Sequence, residues 1–353
     1  MLMSDLLQSL QDAVTQQASD IFIIAGGAMS AKVDGRIYPL RETRLLPPET
    51  EAMVTEIYHL ANRSMEKYLR TSDDDFSFSV PSLARFRVNA YRQRNSMAAV
   101  VRVVSFDIPN WQNIHILPQV MDIAKLTSGM ILFTGTAGSG KSTTQACIID
   151  QINQTRDCHI ITLEDPIEYL HRNNRSIISQ REVAIDTADY LSALRACLRQ
   201  APDVILLGEM RDAETIRTAI TAAETGHTVI ATMHTKGAIN AIDRVIDAFP
   251  AEQQSQIRFQ LATVLRTVVS QQMLPDKTGN VIPVFEIMHI NNAIRGMIRD
   301  NKNYQIENAI LAGRNEGMIT MDASILNLYQ EGIISKETAL TFADHPELLQ
   351  KHL

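Results

Sequence analysis

Eight consecutive residues near the middle of the chain have the composition of a phosphate-binding loop. They fit the pattern G-x-x-x-x-G-K-[ST] and run from Gly135 to Ser142. Glycines let backbone N–H groups converge on a phosphate, the lysine adds a positive charge, and the last hydroxyl can bind Mg²⁺. The residues predicted to contact the nucleotide are Gly135, Thr136, Ala137, Gly138, Ser139, Gly140, Lys141, Ser142 and Thr143. The sequence therefore predicts a site for a nucleoside triphosphate and Mg²⁺.

Two glutamates follow predicted strands of the same region. Glu164 comes directly after the run His159–Leu163, and Glu209 comes two residues after Leu207. A carboxylate beside a bound Mg-nucleotide can orient the attacking water or accept its proton, which is the chemistry expected of Glu164. Glu209, with Ser142, is expected to reach the metal or its water shell. A helix-capping or solvated acidic turn is the alternative for Glu164.

Two histidines flank a third predicted strand. His227 precedes the run Thr228–Met233 and His234 follows it. Such a pair could sense the γ-phosphate of a nucleotide or bind a metal. Taken alone, a pair of histidines more often has a structural role, and that alternative stays open.

These side chains need a common scaffold. The apolar runs 159–163, 204–207 and 228–233 are typical of buried parallel strands, and helical patterns at 190–199 and 212–220 separate them. This alternation predicts an open, mainly parallel α/β sheet, with the phosphate loop at the carboxyl end of the strand 130–134.

The rest of the chain suggests further domains. A helical pattern, a hairpin signal with its turn at Asp34–Gly35 and alternating strands near 76–104 predict a small N-terminal α+β domain. From about Gln253 the chain is expected to become largely helical. The predicted domains are an N-terminal domain at 1–105, a linker at 106–118, an ATPase core at 119–275 and a mainly helical C-terminal region at 276–353.

The composition excludes several classes of protein. The 353 residues carry a net charge of −7, which argues against broad nucleic-acid binding. No apolar run approaches the roughly 20 residues that span a bilayer. The N-terminus lacks the marks of a signal peptide, so a cytoplasmic location is expected. The three cysteines show no C-x-x-C spacing, so neither a zinc site nor a disulfide framework is predicted.

Several segments together resemble one family. Residues 164–168 resemble its Asp box, 208–212 its Walker B box and 222–235 its His box, although Gly208 occupies the usual Walker B aspartate position. Ala293–Asp300 is similar to the A-I-R-N-L-I-R-E helix of the retraction ATPases, with Gly296 and Met297 in place of Asn-Leu. On these motifs the chain is identified as a member of the type II/type IV secretion ATPase superfamily, and specifically of its type IV pilus retraction ATPase (PilT) family.

The resemblance implies a fold and an activity. It implies a homohexameric ring with an N-terminal PAS-like domain and a RecA-like P-loop ATPase core, and sites between protomers. The activity implied is an ATP- and Mg²⁺-dependent motor that powers pilus retraction and twitching motility. Its implied partner is the inner-membrane platform protein, bound through the Ala293–Asp300 region, which would place the chain at the inner face of the cytoplasmic membrane.

The resemblance also assigns roles to individual residues. It makes Glu164 the catalytic glutamate and assigns His227 and His234 to the His box. Arg87 and Arg102 match arginines that reach the nucleotide from the small domain, where a guanidinium can stabilise charge on a transferring phosphoryl group. Without the resemblance, both arginines would be interpreted as polar residues of exposed strands.

Other functions stay open at this point. A pilus-extension or secretion ATPase is one alternative, although no zinc module or additional N-terminal domain is recognised. A non-hydrolysing regulatory ATP-binding partner of another motor ring is a second, and Lys141, Ser142, Glu164 and Glu209 speak against it. A nucleic-acid motor is a third, and the acidic balance disfavours it.

Overall fold

A computed structural model of the chain describes residues 5–33, 35–81, 83–104 and 108–353. The chain forms two compact units, Met1–Asp107 with Glu168–Leu170 and Ile108–Ile167 with His171–Leu353. Asp34, half of the predicted hairpin turn, and residues 105–107, at the predicted domain boundary, lie outside the described residues.

The first unit is a six-stranded antiparallel sheet covered by helices. Its strands have the order β3-β2-β1-β6-β5-β4. They are β1 Asp20–Ile23, β2 Ala28–Val33, β3 Arg36–Arg44, β4 Asp73–Val80, β5 Ala84–Gln93 and β6 Ser96–Val104, and the helices are α1 Asp5–Thr15, α2 Pro47–Leu60 and α3 Glu66–Thr71. In β5, apolar residues from Ala84 to Ala90 alternate with arginines and Asn89, so one face packs on the core and the other carries the polar side chains. The predicted α+β domain is confirmed.

A buried carboxylate ties the helices of this unit to the sheet. Asp74 on β4 contacts Arg63 Nε at 2.9 Å, Lys67 Nζ at 2.9 Å and Tyr58 Oη at 3.2 Å. Burial alone would raise the pKa of Asp74, but the hydrogen bonds from Arg63 and Lys67 outweigh it and hold that pKa below its usual value.

The second unit is built on a seven-stranded sheet in the order β13-β12-β7-β11-β10-β8-β9. All neighbouring strands are parallel except β12 and β13. The strands are β7 Gly129–Thr134, β8 His159–Glu164, β9 Ile177–Glu182, β10 Val204–Leu207, β11 Thr228–Met233, β12 Leu265–Pro275 and β13 Val281–His289. This confirms the predicted mainly parallel α/β sheet.

Helices cover both faces of this sheet. They are α4 Pro118–Met121, α5 Lys141–Thr155, α6 Tyr190–Cys197, α7 Ala213–Glu224, α8 Ala238–Asp247, α9 Ala251–Val264, α10 Asn292–Arg299, α11 Ile306–Ala312, α12 Met321–Gln330, α13 Lys336–Phe342 and α14 Pro346–Leu349. On one face Ile131, Val269 and Phe285 pack against α5, and on the other Leu132, Val268 and Met288 pack against α8 and α9. Among the described residues, no helix is long and apolar enough to cross a membrane.

The expectation of a largely helical chain after Gln253 is wrong at one place. The strands β12 and β13 form a hairpin that continues the sheet past residue 275, where the predicted ATPase core ends. The ladder between β12 and β7 contains a bulge at Arg266, because Leu265 pairs with Met130 and Thr267 with the next residue, Ile131. The helices α10 to α14 agree with the helical prediction for the C-terminal region.

The predicted linker packs onto the second unit over its described part. Ile116 is buried, and Ile108, Trp111, Ile114 and Leu117 pack on the core beneath α5. Trp111 therefore contributes to the packing of this core.

Candidate nucleotide site

The phosphate loop connects the end of β7 to the start of α5. Gly135, Gly138 and Gly140 all have positive φ angles, at 144°, 78° and 81°. A Cβ atom on Gly135 would lie 2.3 Å from Gln271 O and 2.7 Å from Ser139 Oγ. A Cβ atom on Gly140 would lie 2.9 Å from Gln271 Nε2. Only glycine fits at either end of the loop, and the loop backbone can approach a phosphate closely.

Lys141 lies inside this loop. Its side chain is 7% exposed, and its ammonium group donates to Gly135 O at 2.8 Å and Thr136 O at 2.8 Å. Ser142 and Thr143 are half-buried in the first turn of α5, where helix N–H groups point outward with the positive end of the helix dipole. A curved backbone, a lysine and a helix N-terminus at one place fit the phosphates of a nucleotide.

Glu164 and Glu209 lie at the same edge of the sheet as the loop. Glu164 ends β8 and Glu209 follows β10, and the parallel strands β7, β11, β10 and β8 are consecutive in the sheet. The distance from β7 to β10 is two strand spacings, or about 10 Å. The predicted convergence of the loop and both carboxylates at one edge is therefore what the topology produces.

Two side chains hold the carboxylate of Glu164. Thr162 Oγ1 donates to Glu164 Oε1 at 2.5 Å, and Gln180 Nε2 donates to the same oxygen at 3.2 Å. Gln180 Oε1 also accepts from the backbone N–H of His171 at 2.8 Å, which ties the loop after β8 to β9. The two hydrogen bonds fix the orientation of this carboxylate, as a positioned proton acceptor requires.

Arg211 and His234 contact the carboxylate of Glu209, whose side chain is 15% exposed. Its Oε2 lies 2.6 Å from Arg211 Nη2, and its Oε1 lies 3.5 Å from His234 Nε2. The backbone N–H of Met210 donates to Thr232 O at 3.1 Å, which fixes the segment after β10 to β11. The structure thus brings Glu209 and His234 together.

His227 lies at the opposite edge of the sheet. Its carbonyl accepts from Gly129 N, the first residue of β7, at 3.0 Å, and its ring Nδ1 lies 2.9 Å from Ala222 O. The strand β11 separates it from His234 by roughly 20 Å. Within one chain the two histidines cannot share a metal, and the catalytic role of His227 stays a prediction.

Metal binding would depend on few protein ligands. Within the described ranges, no group of three or more His, Cys, Asp or Glu side chains could hold a metal ion. Mg²⁺ in nucleotide sites usually keeps several waters and takes one or two protein oxygens besides the phosphates. The hydroxyl of Ser142 and the carboxylate of Glu209 fit that limited role.

Gly208 has a packing reason to be glycine. Its backbone N–H donates to Leu163 O at 2.8 Å, and a Cβ atom would lie 2.8 Å from Tyr190 Oη. Burial, together with the charges of Asp165 and Glu209, raises the pKa of Tyr190, so its phenol stays protonated. The usual Walker B aspartate would not fit here.

The last acid of the Walker B box has a structural role. Asp212 caps α7 by accepting from Thr215 N at 2.9 Å. Burial alone would raise the pKa of Asp212, but the hydrogen bonds from Thr215 outweigh burial and hold that pKa below its usual value.

Arg87 and Arg102 belong to the first unit. They lie directly opposite each other on β5 and β6, and Asp20 on β1 is opposite Arg102. Arg102 Nε forms an ion pair with Asp20 Oδ1 at 2.9 Å, while Arg87 is half-buried. The two guanidinium groups thus share one face of the sheet, and their contact with a nucleotide stays a prediction.

The Ala293–Asp300 motif forms most of α10. Asn291 caps this helix, and Ile294 and Ile298 are buried beneath it. Ala293 and Met297 line a cleft of about 690 Å³, and Tyr304 borders the same cleft with 74% of its surface exposed. The predicted partner surface is therefore a helix beside an open cleft.

The residues around the site that the sequence prediction missed include Thr162, Gln180, Ser270 and Gln271. Each of them bonds to or packs against a predicted site residue or the segment beside one. The β-branched run Thr267–Val269 was a signal for the strand that carries Ser270 and Gln271. No local sequence pattern marks Gln180, because only the order of strands in the sheet places its strand, β9, beside β8.

Comparisons with known proteins find a matching family, similar proteins and a similar solved structure. The family described as Type II/IV secretion system protein matches residues 1–282. The Type IV pilus retractation ATPase PilT of Pseudomonas aeruginosa is 41% identical over 97% of this chain and 99% of its own length. A twitching motility protein of Neisseria gonorrhoeae is 39% identical over 97% of this chain and 91% of its own length. A solved structure of the pilus retraction motor PilT with bound ADP is 40% identical, covers 99% of this chain and 100% of that one, and superposes with a TM-score of 0.89.

Proposed function

Because this chain belongs to the Type II/IV secretion system protein family, we propose that it is an ATP-hydrolysing motor, a homohexamer that powers type IV pilus retraction and twitching motility. One observation carries the hydrolytic part: the phosphate loop, Glu164 and the Glu209–His234 pair lie at one edge of one sheet. A protein that only bound nucleotide would not need a held carboxylate at the position of Glu164.

The loop binds the phosphates in this mechanism. The N–H groups around Gly138 and Gly140 and the first turn of α5 face the phosphate oxygens, and Lys141 places its charge beside the β- and γ-phosphates. Ser142 and Glu209 are the residues that would hold Mg²⁺, which when bound would supply positive charge against the phosphates. The adjoining residues from Gly135 to Thr143 form the rest of the cradle.

Glu164 acts on the water. Its carboxylate, fixed by Thr162 and Gln180, accepts the proton of the attacking water. His234 senses the γ-phosphate through its contact with Glu209. Arg87 and Arg102 stabilise the developing charge from the first unit of an adjacent or the same protomer, which couples hydrolysis to domain motion.

The motor acts on a membrane-embedded partner. The surface around α10 docks on the inner-membrane platform protein, and this docking places the chain peripherally at the inner face of the cytoplasmic membrane. Motion of the two units would then turn the platform protein.

The test is the steady-state ATPase rate as a function of protein concentration. The rate per protomer should rise with concentration, because the sites are completed between protomers. Glu164→Gln should lower kcat by a factor of about 100 or more, the usual contribution of a general base, while ADP still binds. The matched control is Glu214→Gln, which should keep the wild-type rate, because Glu214 is an exposed residue of α7 that pairs with Arg195 of α6.

Two outcomes contradict the proposal. ATP binding with no turnover in the wild type would favour the non-hydrolysing regulatory partner. A concentration-independent rate that survives Glu164→Gln would exclude both the assembled site and the assigned proton acceptor.

A further inference from the structure

Two neighbouring residues of β12 point to opposite faces of the sheet. Ser270 and Gln271 are polar, consecutive and almost completely buried, at 0% and 1% exposure. Successive side chains of a strand alternate between faces, so one residue faces α8 and the other faces α5. Buried polar side chains in a central strand need partners, and here the partners belong to the nucleotide site.

Gln271 contacts both ends of the phosphate loop. Its backbone carbonyl oxygen lies against Gly135 at the start of the loop, and its side-chain Nε2 lies against Gly140 at the end. At both glycines a Cβ atom would come too close to Gln271. Its Oε1 accepts from Thr144 Oγ1 at 3.0 Å in the first turn of α5. One residue thus spans the loop and the helix that follows it.

Ser270 belongs to a row of three side chains on the other face. Thr134 on β7 and Glu286 on β13 are its direct neighbours across the ladder. Thr134 Oγ1 donates to Thr235 O, Ser270 Oγ accepts from Gly237 N at 3.1 Å, and Glu286 Oε1 accepts from Ala238 N at 2.7 Å.

The row therefore holds the segment Thr235–Ala238, which directly follows His234. The strands β7, β12 and β13 each supply a side chain that hydrogen-bonds to this segment. Since the segment begins one residue after His234, its position sets where the imidazole lies relative to Glu209.

We propose that Gln271 and Ser270 are positioning residues with separate functions, Gln271 for nucleotide binding through the phosphate loop and Ser270 for hydrolysis through His234. The inference rests on the proposed ATPase function and adds two residues to it. Both residues act through their neighbours.

The experiment separates affinity from turnover. Gln271→Met keeps the side-chain volume and removes the amide, and Thr144→Val removes its hydroxyl partner. Each should weaken ADP binding about fivefold to tenfold, with kcat at saturating ATP near the wild-type value. Thr144→Ser keeps the hydroxyl, so its ADP affinity should equal that of the wild type.

Ser270→Ala should show the reverse pattern. The variant loses the acceptor for Gly237 N, so kcat should fall about fivefold to tenfold while ADP affinity stays at the wild-type value. Each variant is thus the control for the other, and thermal melting of all of them shows whether the fold is kept. A general loss of stability would change both parameters together.

The outcomes decide the inference. Variants that change affinity and kcat in parallel, or that change neither, overturn it. If Gln271→Met fails to fold, the pair Thr144→Val and Thr144→Ser decides the loop half. A wild-type protein that binds ADP but hydrolyses no ATP overturns the proposed function and the Ser270 half, and the ADP affinities still decide the Gln271 half.

Discussion

The substitution Gly208→Ala offers a quantitative test of how tightly the chain is packed around Glu164 and Glu209. In Gly208→Ala the new Cβ atom would lie 2.8 Å from Tyr190 Oη, 3.0 Å from Leu163 O and 3.4 Å from Glu164 Cα. The tyrosine hydroxyl can shift, because it is the end of a side chain. Leu163 O cannot retreat freely, because it accepts the N–H of Gly208 at 2.8 Å. The ends of β8 and β10 must therefore move apart.

The expected cost follows from this geometry. Adding one methyl group to a tight core costs about 1–3 kcal/mol, and in a unit of this size the melting temperature should fall by roughly 3–9 °C. Glu164 would move by a few tenths of an ångström. Because a displacement of about 1 Å can cost a factor of 100 in rate, kcat should fall about tenfold.

Thermal melting and steady-state ATPase rates measure both effects. The double variant Tyr190→Phe with Gly208→Ala lacks the hydroxyl in the shortest contact, so it should regain part of the lost melting temperature. Tyr190→Phe alone is the matched control for the loss of the hydroxyl. A Gly208→Ala protein with the melting temperature and kcat of the wild type would refute the packing argument.

Two further predictions concern the second unit. Burial raises the pKa of Glu286 to about 7, although the N–H groups of Ala238 and Met321 donate to it and lower the pKa. In the unfolded chain this carboxyl loses its proton near pH 4.5, whereas in the folded chain it keeps the proton up to about pH 7. The free energy of unfolding therefore falls as pH rises from about 4.5 to 7. Glu286→Gln should flatten this decline in melting temperature between pH 5 and 7, and equal slopes in both proteins would contradict it. Tyr304→Ala should weaken capture of the detergent-solubilised platform protein without changing the melting temperature. The control Phe259→Ala removes another exposed ring, on α9, and should leave capture unchanged. Equal capture by both variants would exclude this docking surface.

The sequence predicts those parts of the site that local patterns encode. The phosphate loop, the apolar strands β8, β10 and β11 and the polar residues after them are all short-range features, and parallel topology brings their carboxyl ends to one edge. The six-residue length of β11 also implies opposite edges for His227 and His234. The resemblance, which groups both in one box, obscured that separation.

The strand β12 escaped prediction for a physical reason. Its β-branched run Thr267–Val269 is a short strand signal, and it stops at Ser270, Gln271 and Gln272, so the pattern does not extend to the residues beside the site. Ser270 and Gln271 are buried because their hydrogen-bonding partners lie in the nucleotide site. Functional sites are where local sequence rules are expected to fail, and β12 is an example. Gln180 is different, since only the order of strands in the sheet places it beside Glu164.

The bulge at Arg266 gives this strand a constraint on length. The pairing of Leu265 with Met130 and Thr267 with Ile131 adds one residue to β12, which sets the phase of every side chain after it. Deleting one residue between Thr267 and Ser270, with the bulge kept, would place Gln271 at the position of Ser270 and Gln272 at the position of Gln271. Substitutions in this stretch change one contact at a time, whereas a single insertion or deletion changes both. In a lineage of such motors, this short segment should therefore vary in side chains and keep its length.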